Sequence, residues 1–395
     1  MLTTTVHIVL ACLAVPAAAS AAYLLAATLL SAGIREPARS SRTMRFDVIV
    51  PAHNEIAVIE RTVASLRKID WPADCFRIMV VADNCTDATA TLARAAGADT
   101  LERRDSVNRG KGYALDFAFA ASRKRGWASA VVVIDADAEV STNLLEAFAA
   151  RIERGADAVQ AHYGVLNPGA SWRTRLMTIA KGSFHIVRSR ARERLGLSCG
   201  IRGNGWCVTH RLLAQVPYRA FSLTEDLEYG IEIGMAGFRV EYADEAHSNA
   251  EMVSGEQLAR TQRQRWEAGR FQLIRSKTFV LLRAALARRS AVCLDLALDL
   301  MVLPLSYVAL NIAALLLAAW AAAAWHPEFR GWIWVAAACS AALIAYVLRG
   351  WRLSGVGLRG LVDLARAPAF LLWKLILMVR RRGSATWVRT DRETG

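Results

Sequence analysis

Paired cysteines are missing from this chain. Its seven cysteines, Cys12, Cys75, Cys85, Cys199, Cys207, Cys293 and Cys339, are odd in number, scattered and without CxxC spacing. That excludes a zinc ribbon or a disulfide framework and leaves reduced thiols. The P-loop spacing is also missing, although a lysine sits between glycines in Asn108-Arg109-Gly110-Lys111-Gly112-Tyr113-Ala114-Leu115. An ATPase of that kind is therefore excluded. Acidic residues are in the minority, 35 against 49 Lys+Arg for a net charge of +14. No strand interleaves basic and aromatic residues in the RNA-binding manner, so no nucleic-acid partner is expected. The positive charge collects beside apolar runs instead, as Arg35, Arg39, Arg42 and Arg45 after the first and Arg380, Arg381 and Arg382 after the last. Cationic flanks on apolar helices mark a cytoplasmic membrane face.

Those apolar runs are the other extreme of the sequence. Val6 to Leu30 carries no Asp, Glu, Lys or Arg, long enough to cross a hydrocarbon core of about 30 Å. It is too long for a signal-peptide core and no basic residue precedes it, so a retained transmembrane helix kinked at Pro16 is expected. Leu296 to Trp325 and Gly331 to Leu348 are two further runs joined by the short loop His326-Pro327-Glu328-Phe329-Arg330. Arg349, Arg352 and Arg359 follow. Ala365 to Val379, interrupted by Pro368 and Lys374, reads as a marginal span or an interfacial helix. The organisation expected is a transmembrane helix at 1–33, a cytoplasmic domain at 34–255, interfacial helices at 256–290 and membrane or interfacial helices with a cytoplasmic tail at 291–395. The basic segment after the first helix puts the domain in the cytoplasm and the 326–330 loop outside, as expected of an integral protein of a bacterial inner membrane.

Between the runs the chain reads as α/β. Phe46–Val50, Arg77–Val81 and Val131–Ile134 are β-branched runs that each precede a polar cluster. Ile59, Val63 and Leu66 recur at helical spacing between Ile56 and Lys68. Alternation of this kind builds a mostly parallel sheet with right-handed crossovers, which binds ligands at the carboxyl ends of its strands.

The polar residues fall at those ends. The first strand leads into Val50-Pro51-Ala52-His53-Asn54-Glu55, the second into Ala82-Asp83-Asn84-Cys85-Thr86-Asp87. Each fits a ligand contact or a capped helix start. Gly110-Lys111-Gly112 opens a helix and suits a phosphate or base contact. Ile134-Asp135-Ala136-Asp137-Ala138 places two carboxylates one residue apart after an apolar strand, a costly pair unless a cation neutralises it. Hard oxygen ligands beside a diphosphate suit Mg²⁺ or Mn²⁺. Leu223-Thr224-Glu225-Asp226-Leu227-Glu228 reads as a helix start with Thr224 as N-cap, or as a general base at Asp226. Gln262-Arg263-Gln264-Arg265-Trp266 offers a cation for a diphosphate and an aromatic face for a sugar, or a basic interfacial helix.

In order, Asp83, Asp135-Ala136-Asp137, Thr224-Glu225-Asp226 and the QxxRW of Gln262, Arg265 and Trp266 resemble the inverting glycosyltransferases of family 2. The resemblance runs from about Phe46 to Arg270 and is nearest to the membrane-integrated branch that includes cellulose, hyaluronan and poly-N-acetylglucosamine synthases. It implies a GT-A nucleotide-sugar domain set between transmembrane helices. Pro51, Asn54, Glu55, Asp83 and Lys111 would hold the nucleoside of a UDP-sugar. Asp135 and Asp137 would engage the donor, with Asp137 on a Mg²⁺ or Mn²⁺ ion. Asp226 would be the base. Gln262, Arg265 and Trp266 would line the diphosphate and acceptor site. Gly203-Asn204-Gly205-Trp206-Cys207 and Glu225 would face the acceptor. Trp387-Val388-Arg389-Thr390 resembles that branch's C-terminal tryptophan–arginine element. Cellulose-type synthases have more spanning helices, so a single transfer to a lipid-linked or glycan acceptor is expected ahead of processive synthesis, with membrane lipid and an export partner as further partners. A non-catalytic scaffold predicts damaged acids, and a transporter leaves the 46–251 region without a role.

Overall fold

The computed structural model describes residues 2–252 and 256–368, with 256–265 described by backbone alone. From the N-terminus come α1 (Leu2–Leu29), β1 (Phe46–Ala52), α2 (Ile59–Leu66), β2 (Phe76–Asp83), α3 (Thr89–Ala95), β3 (Asp99–Arg103) and α4 (Lys111–Arg125). Then follow β4 (Ala130–Val133), β5 (Ala138–Val140), α5 (Leu144–Ile152), β6 (Ala158–Val165), α6 (Trp172–Lys181), α7 (Arg188–Arg194), β7 (Trp206–Thr209) and α8 (His210–Gln215). The remainder is α9 (Glu225–Met235), β8 (Val240–Ala250), α10 (Glu256–Arg288), α11 (Ala291–Met301), α12 (Leu305–Trp325), α13 (Arg330–Ser354) and α14 (Gly357–Leu364). Two compact units result. One gathers residues 33–168 and 192–297, the other 2–32, 169–191 and 298–368. The block expected at 34–255 thus gives up Gly169–Ala191 to the helical unit.

The first unit is an α/β domain around one sheet of order β3-β2-β1-β4-β7-β6-β8-β5. Its β-branched runs become strands because alternate residues fill opposite faces. Val48, Val50, Val80 and Val132 pack with Ile59, Val63, Leu66 and Phe148 on one face. Ile49, Met79, Val81 and Val133 pack with Leu115, Phe119, Leu212 and Tyr229 on the other. Each such side chain contributes roughly 1.5–3 kcal/mol by leaving water. β1 pairs in parallel with β2 and β4, β2 with β3, and β6 with β8. β7 is inserted antiparallel between β4 and β6, and β5 pairs antiparallel with β8. Those antiparallel strands are short and were not legible as strands.

Among the described residues the second unit holds three helices long and apolar enough to cross a membrane, Leu2–Leu29, Leu305–Trp325 and Pro327–Ser354. The buried stripe of α1, Leu10, Ala14, Ala17, Ala21 and Leu24, repeats at steps of four and three. Its small residues let helices approach closely, as apolar helices in lipid require. They pack with Ile312 and Leu315 of α12 and Ala336, Cys339 and Ala342 of α13. The Leu296–Trp325 run is not one helix. α11 ends at Met301 and α12 begins at Leu305, with Pro304 as its N-cap, because proline lacks an N–H and disfavours helix in the residue before it.

A buried ion pair lies in this unit. Arg188 Nη1 is 2.8 Å from Asp299 Oδ1, with side chains 3% and 5% exposed. Arg188 Nε donates to the Tyr346 hydroxyl at 2.9 Å, and that hydroxyl donates to Ser183 O at 2.7 Å. Ser183 lies in the π-helical turn Gly182–Val187, and a Cβ on Gly350 would strike it. Removing one partner of a buried pair leaves an uncompensated charge, at about 3–5 kcal/mol. Asp299→Ala is therefore expected to lower the thermal midpoint in detergent or nanodiscs sharply, whereas Arg352→Ala, at an exposed position, leaves it nearly unchanged.

Candidate active site

The loops after β1 and β2 are fastened together. Asn54 and Asn84 both adopt left-handed backbone, φ 55° and 51°, a conformation Asn tolerates better than most side chains. The Thr86 N–H donates to Asn54 Oδ1 at 2.7 Å, the Glu55 N–H to Thr89 Oγ1 at 2.8 Å and the His53 ring to Asp83 O at 2.7 Å. Pro51 is the penultimate residue of β1 and is half-buried. Asp83 is 4% exposed and its carboxylate receives Arg103 Nη1 at 2.6 Å. Sequence reading missed Arg103. The register that sets Asp83 opposite Arg103 is the signal, and register is not visible in a single strand.

The centre of the site is an ammonium among carboxylates. Gly110, at φ 120°, turns the chain into α4, whose first residue is Lys111. A Cβ on Gly112 would strike Ala220 O, so glycine there lets the start of α4 lie against the segment before α9. Tyr113 stacks on Phe221 at 4.4 Å across the same contact. Lys111 Nζ then reaches Asp135 Oδ1 at 2.6 Å, Gly203 O at 3.0 Å and Glu225 Oε1 at 3.5 Å. The lysine expected beside the nucleoside thus has its ammonium on Asp135. Asp135 and Asp137 are both half-buried at the end of β4.

The 203–206 loop separates into exposed backbone and enclosed side chains. A Cβ on Gly203 (φ 95°) would lie 3.4 Å from Asp226 Oδ2 and 3.4 Å from the Tyr163 ring. Gly205 (φ 74°) needs its hydrogen as well, since a Cβ would come within 2.7 Å of Ser248 Cβ. Asn204 is fully buried and its Oδ1 accepts the Asp135 N–H at 2.9 Å. Trp206 is 1% exposed, with ring centroids 6.0 Å from Phe119 and 6.1 Å from Tyr229. This corrects the expectation that both side chains face an acceptor, because strand β7 turns Trp206 into the core and Asn204 is spent on the Asp135 backbone.

Glu225 and Asp226 open α9, where carboxylates favour the positive end of the helix. Thr224 precedes them but makes no side-chain cap, so the capping reading of that threonine fails. A Cβ on Gly269 of α10 would lie 2.5 Å from Thr224 Cγ2. The helix that carries the QxxRW motif therefore passes the start of α9, with half-buried Trp266 one turn before the contact. The side chains of Gln262 and Arg265, and Trp387 to Thr390, lie outside the described residues.

Burial raises the Glu225 carboxyl to about 7, against the opposing pull of Lys111. Burial also lifts Asp226 above its ordinary value, again opposed by Lys111. Burial works against the Lys111 charge, but Asp135, Glu225 and Asp226 outweigh it and its pKa rises. A carboxyl whose folded pKa is raised stabilises the fold while protonated, and that stability is lost as pH rises through the folded value. Glu225→Gln is therefore expected to flatten the decline in stability between about pH 4.5 and 7. Thermal unfolding of both proteins across that range measures it.

The carboxylates fit a divalent cation of a particular kind. Among the described residues no cluster of three or more His, Cys, Asp and Glu is arranged to hold a metal. Asp135 already receives the Lys111 ammonium at 2.6 Å. Mg²⁺ and Mn²⁺ are commonly held by one or two carboxylates with substrate phosphates and water completing the shell.

The chain is similar to known proteins in sequence and in fold. The sequence profile described as glycosyl transferase family 2 matches residues 47–211, and that described as glycosyl transferase family group 2 matches residues 130–377. The probable glycosyltransferase YdaM of Bacillus subtilis is 23% identical over 234 residues, covering 57% of this chain and 55% of that protein. A beta-monoglucosyldiacylglycerol synthase of Nostoc sp. is 25% identical over 232 residues, 57% of this chain and 48% of that one. The chain spans about half the length of these curated relatives. Among solved structures, the mannosyltransferase PcManGT from Pyrobaculum calidifontis, in complex with GDP-Man and Mn²⁺, has a TM-score of 0.51 at 21% identity over 88% of this chain and 98% of that chain. That likeness is one of fold.

Proposed function

We propose a specific reaction for this chain, which belongs to glycosyl transferase family group 2: transfer of one sugar, with inversion, from a UDP-sugar to a lipid-linked or glycan acceptor at a membrane. The observation that carries it is the convergence of Asp135, Glu225 and Asp226 around Lys111 at the carboxyl end of β4. Asp226 takes the proton of the acceptor hydroxyl. The hydroxyl oxygen attacks the anomeric carbon as the bond to the nucleotide diphosphate breaks. The Asp83 loop holds the nucleoside. A Mg²⁺ or Mn²⁺ ion on Asp137, beside Asp135, would supply positive charge for the leaving diphosphate.

A lipid acceptor is favoured by the helical unit and by the monoglucosyldiacylglycerol synthases among the relatives. Among the described residues three candidate spans make a small frame for a polymer channel, which favours single transfer over a processive synthase. The basic 35–45 segment and the short 326–330 loop favour a cytoplasmic side for the α/β unit.

The test is nucleotide diphosphate release by the protein in nanodiscs, with UDP-sugars and GDP-mannose, diacylglycerol and polyprenyl-phosphate acceptors, and added Mn²⁺ or Mg²⁺. Release with one UDP-sugar and one acceptor is expected, falling at least about tenfold with EDTA and returning with metal. Metal-independent turnover would remove the cation from the reaction. Release with GDP-mannose alone would reassign the donor, and a polymeric product would replace single transfer.

A further inference from the structure

We infer that Gln160, a buried amide of β6, is a positioning residue for transfer, holding the 202–205 loop where Asn204 meets the Asp135 backbone and Gly203 lies against Asp226. The inference rests on the reaction proposed above, and no motif in the sequence singles Gln160 out.

Gln160 is 1% exposed in a strand whose neighbours Val159 and Ala161 are apolar and buried. An amide there costs free energy unless it is hydrogen-bonded. Its partners belong almost wholly to one loop. Oε1 accepts the Arg202 N–H at 2.8 Å, and Nε2 donates to Asn204 O at 2.7 Å and Gly205 O at 3.2 Å, with Ala161 O at 2.9 Å. One carbonyl acceptor facing an N–H and one NH₂ facing carbonyls fix the amide orientation. The same side chain therefore grips the loop on both sides of Gly203.

That grip matters because the loop is poorly constrained by its own chemistry. Gly203 and Gly205 occupy left-handed backbone, and glycines lose more conformational freedom on ordering than other residues. What the loop then positions is the reaction centre. Asn204 Oδ1 accepts the Asp135 N–H at 2.9 Å, and Gly203 O accepts Lys111 at 3.0 Å. Among the described residues the buried Asn204 Nδ2 has no hydrogen-bond partner. Leaving such a group unpaired costs free energy, which a side chain kept only for packing does not explain.

The experiment uses the full-length protein in nanodiscs. Gln160→Met keeps the volume and removes both hydrogen-bonding ends. The expected result is a kcat at least about tenfold lower with donor affinity within about twofold of wild type. Thr209→Val, which breaks the buried bond to Asp157 at the far end of β7, is expected to lower the thermal midpoint while kcat stays within about twofold. A Gln160→Met kcat within twofold of wild type overturns the inference. So does a fall in kcat matched by an equal loss of donor affinity, or reproduced by Thr209→Val. If Gln160→Met does not fold, Asn204→Ala is judged by the same kcat and affinity criteria. If wild type releases no nucleotide with any donor, the proposed reaction fails first and amide hydrogen exchange decides. Loss of protection at 202–205 and at Asp135 in Gln160→Met supports the inference, and unchanged protection overturns it.

Discussion

Asp226→Asn is expected to lower transfer by about 10³-fold or more while donor affinity stays within a few-fold of wild type. A positioned general base contributes about 10²–10⁴-fold, and the amide keeps the shape of the carboxylate without its basicity. The side chain lies at the first turn of α9, beside the backbone of Gly203. Because burial raises the Asp226 pKa and the base must be ionised, the wild-type rate should rise with pH through a value above 3.8, the ordinary aspartate figure. Single-turnover rates across pH, with donor binding by calorimetry, measure both. Near-wild-type turnover in Asp226→Asn would remove it as the base.

The second large effect is expected at Lys111. Lys111→Met leaves Asp135, Glu225 and Asp226 facing one another without the cation that reaches the first two at 2.6 and 3.5 Å. Like charges favour protonation, so less of Asp226 is ionised at neutral pH and kcat falls by about 10²-fold. The acid limb of the pH–rate profile moves upward in the same variant. A residue that only holds the nucleoside predicts something else, a higher donor KM with an unmoved pH profile. Lys111→Arg keeps the charge but not the compact ammonium, and is expected to restore the pH profile more than the rate. A loss confined to donor KM would return Lys111 to the nucleoside site.

How far the sequence alone reaches depends on the kind of information each residue carries. The positions of Asp135 after β4 and Asp226 at the start of α9 were legible because a short acidic motif after an apolar strand, or at a helix start, is local. Arg103 was not, because its importance lies in standing opposite Asp83 across two strands. Trp206 was misjudged for a related reason: an aromatic beside a glycine loop suggests a sugar platform, but alternation along β7 turns it inward. Leu296–Trp325 looked continuous because composition outweighed Pro304, which the structure uses as a helix cap.

By itself the sequence determined three of the apolar spans, the strands β1, β2 and β4 and the order of the acidic motifs. Periodicity, run length and motif spacing are properties of neighbours along the chain. Only tertiary structure decided that β7 enters the sheet antiparallel, that Gly169–Ala191 joins the helical unit, and that Lys111 meets Asp135 and Glu225. These depend on strand pairing and on charges brought together from distant segments. Lys111 and Glu225 are far apart in sequence, and only the packing of α4 at Gly112 against the segment before α9 brings them within reach.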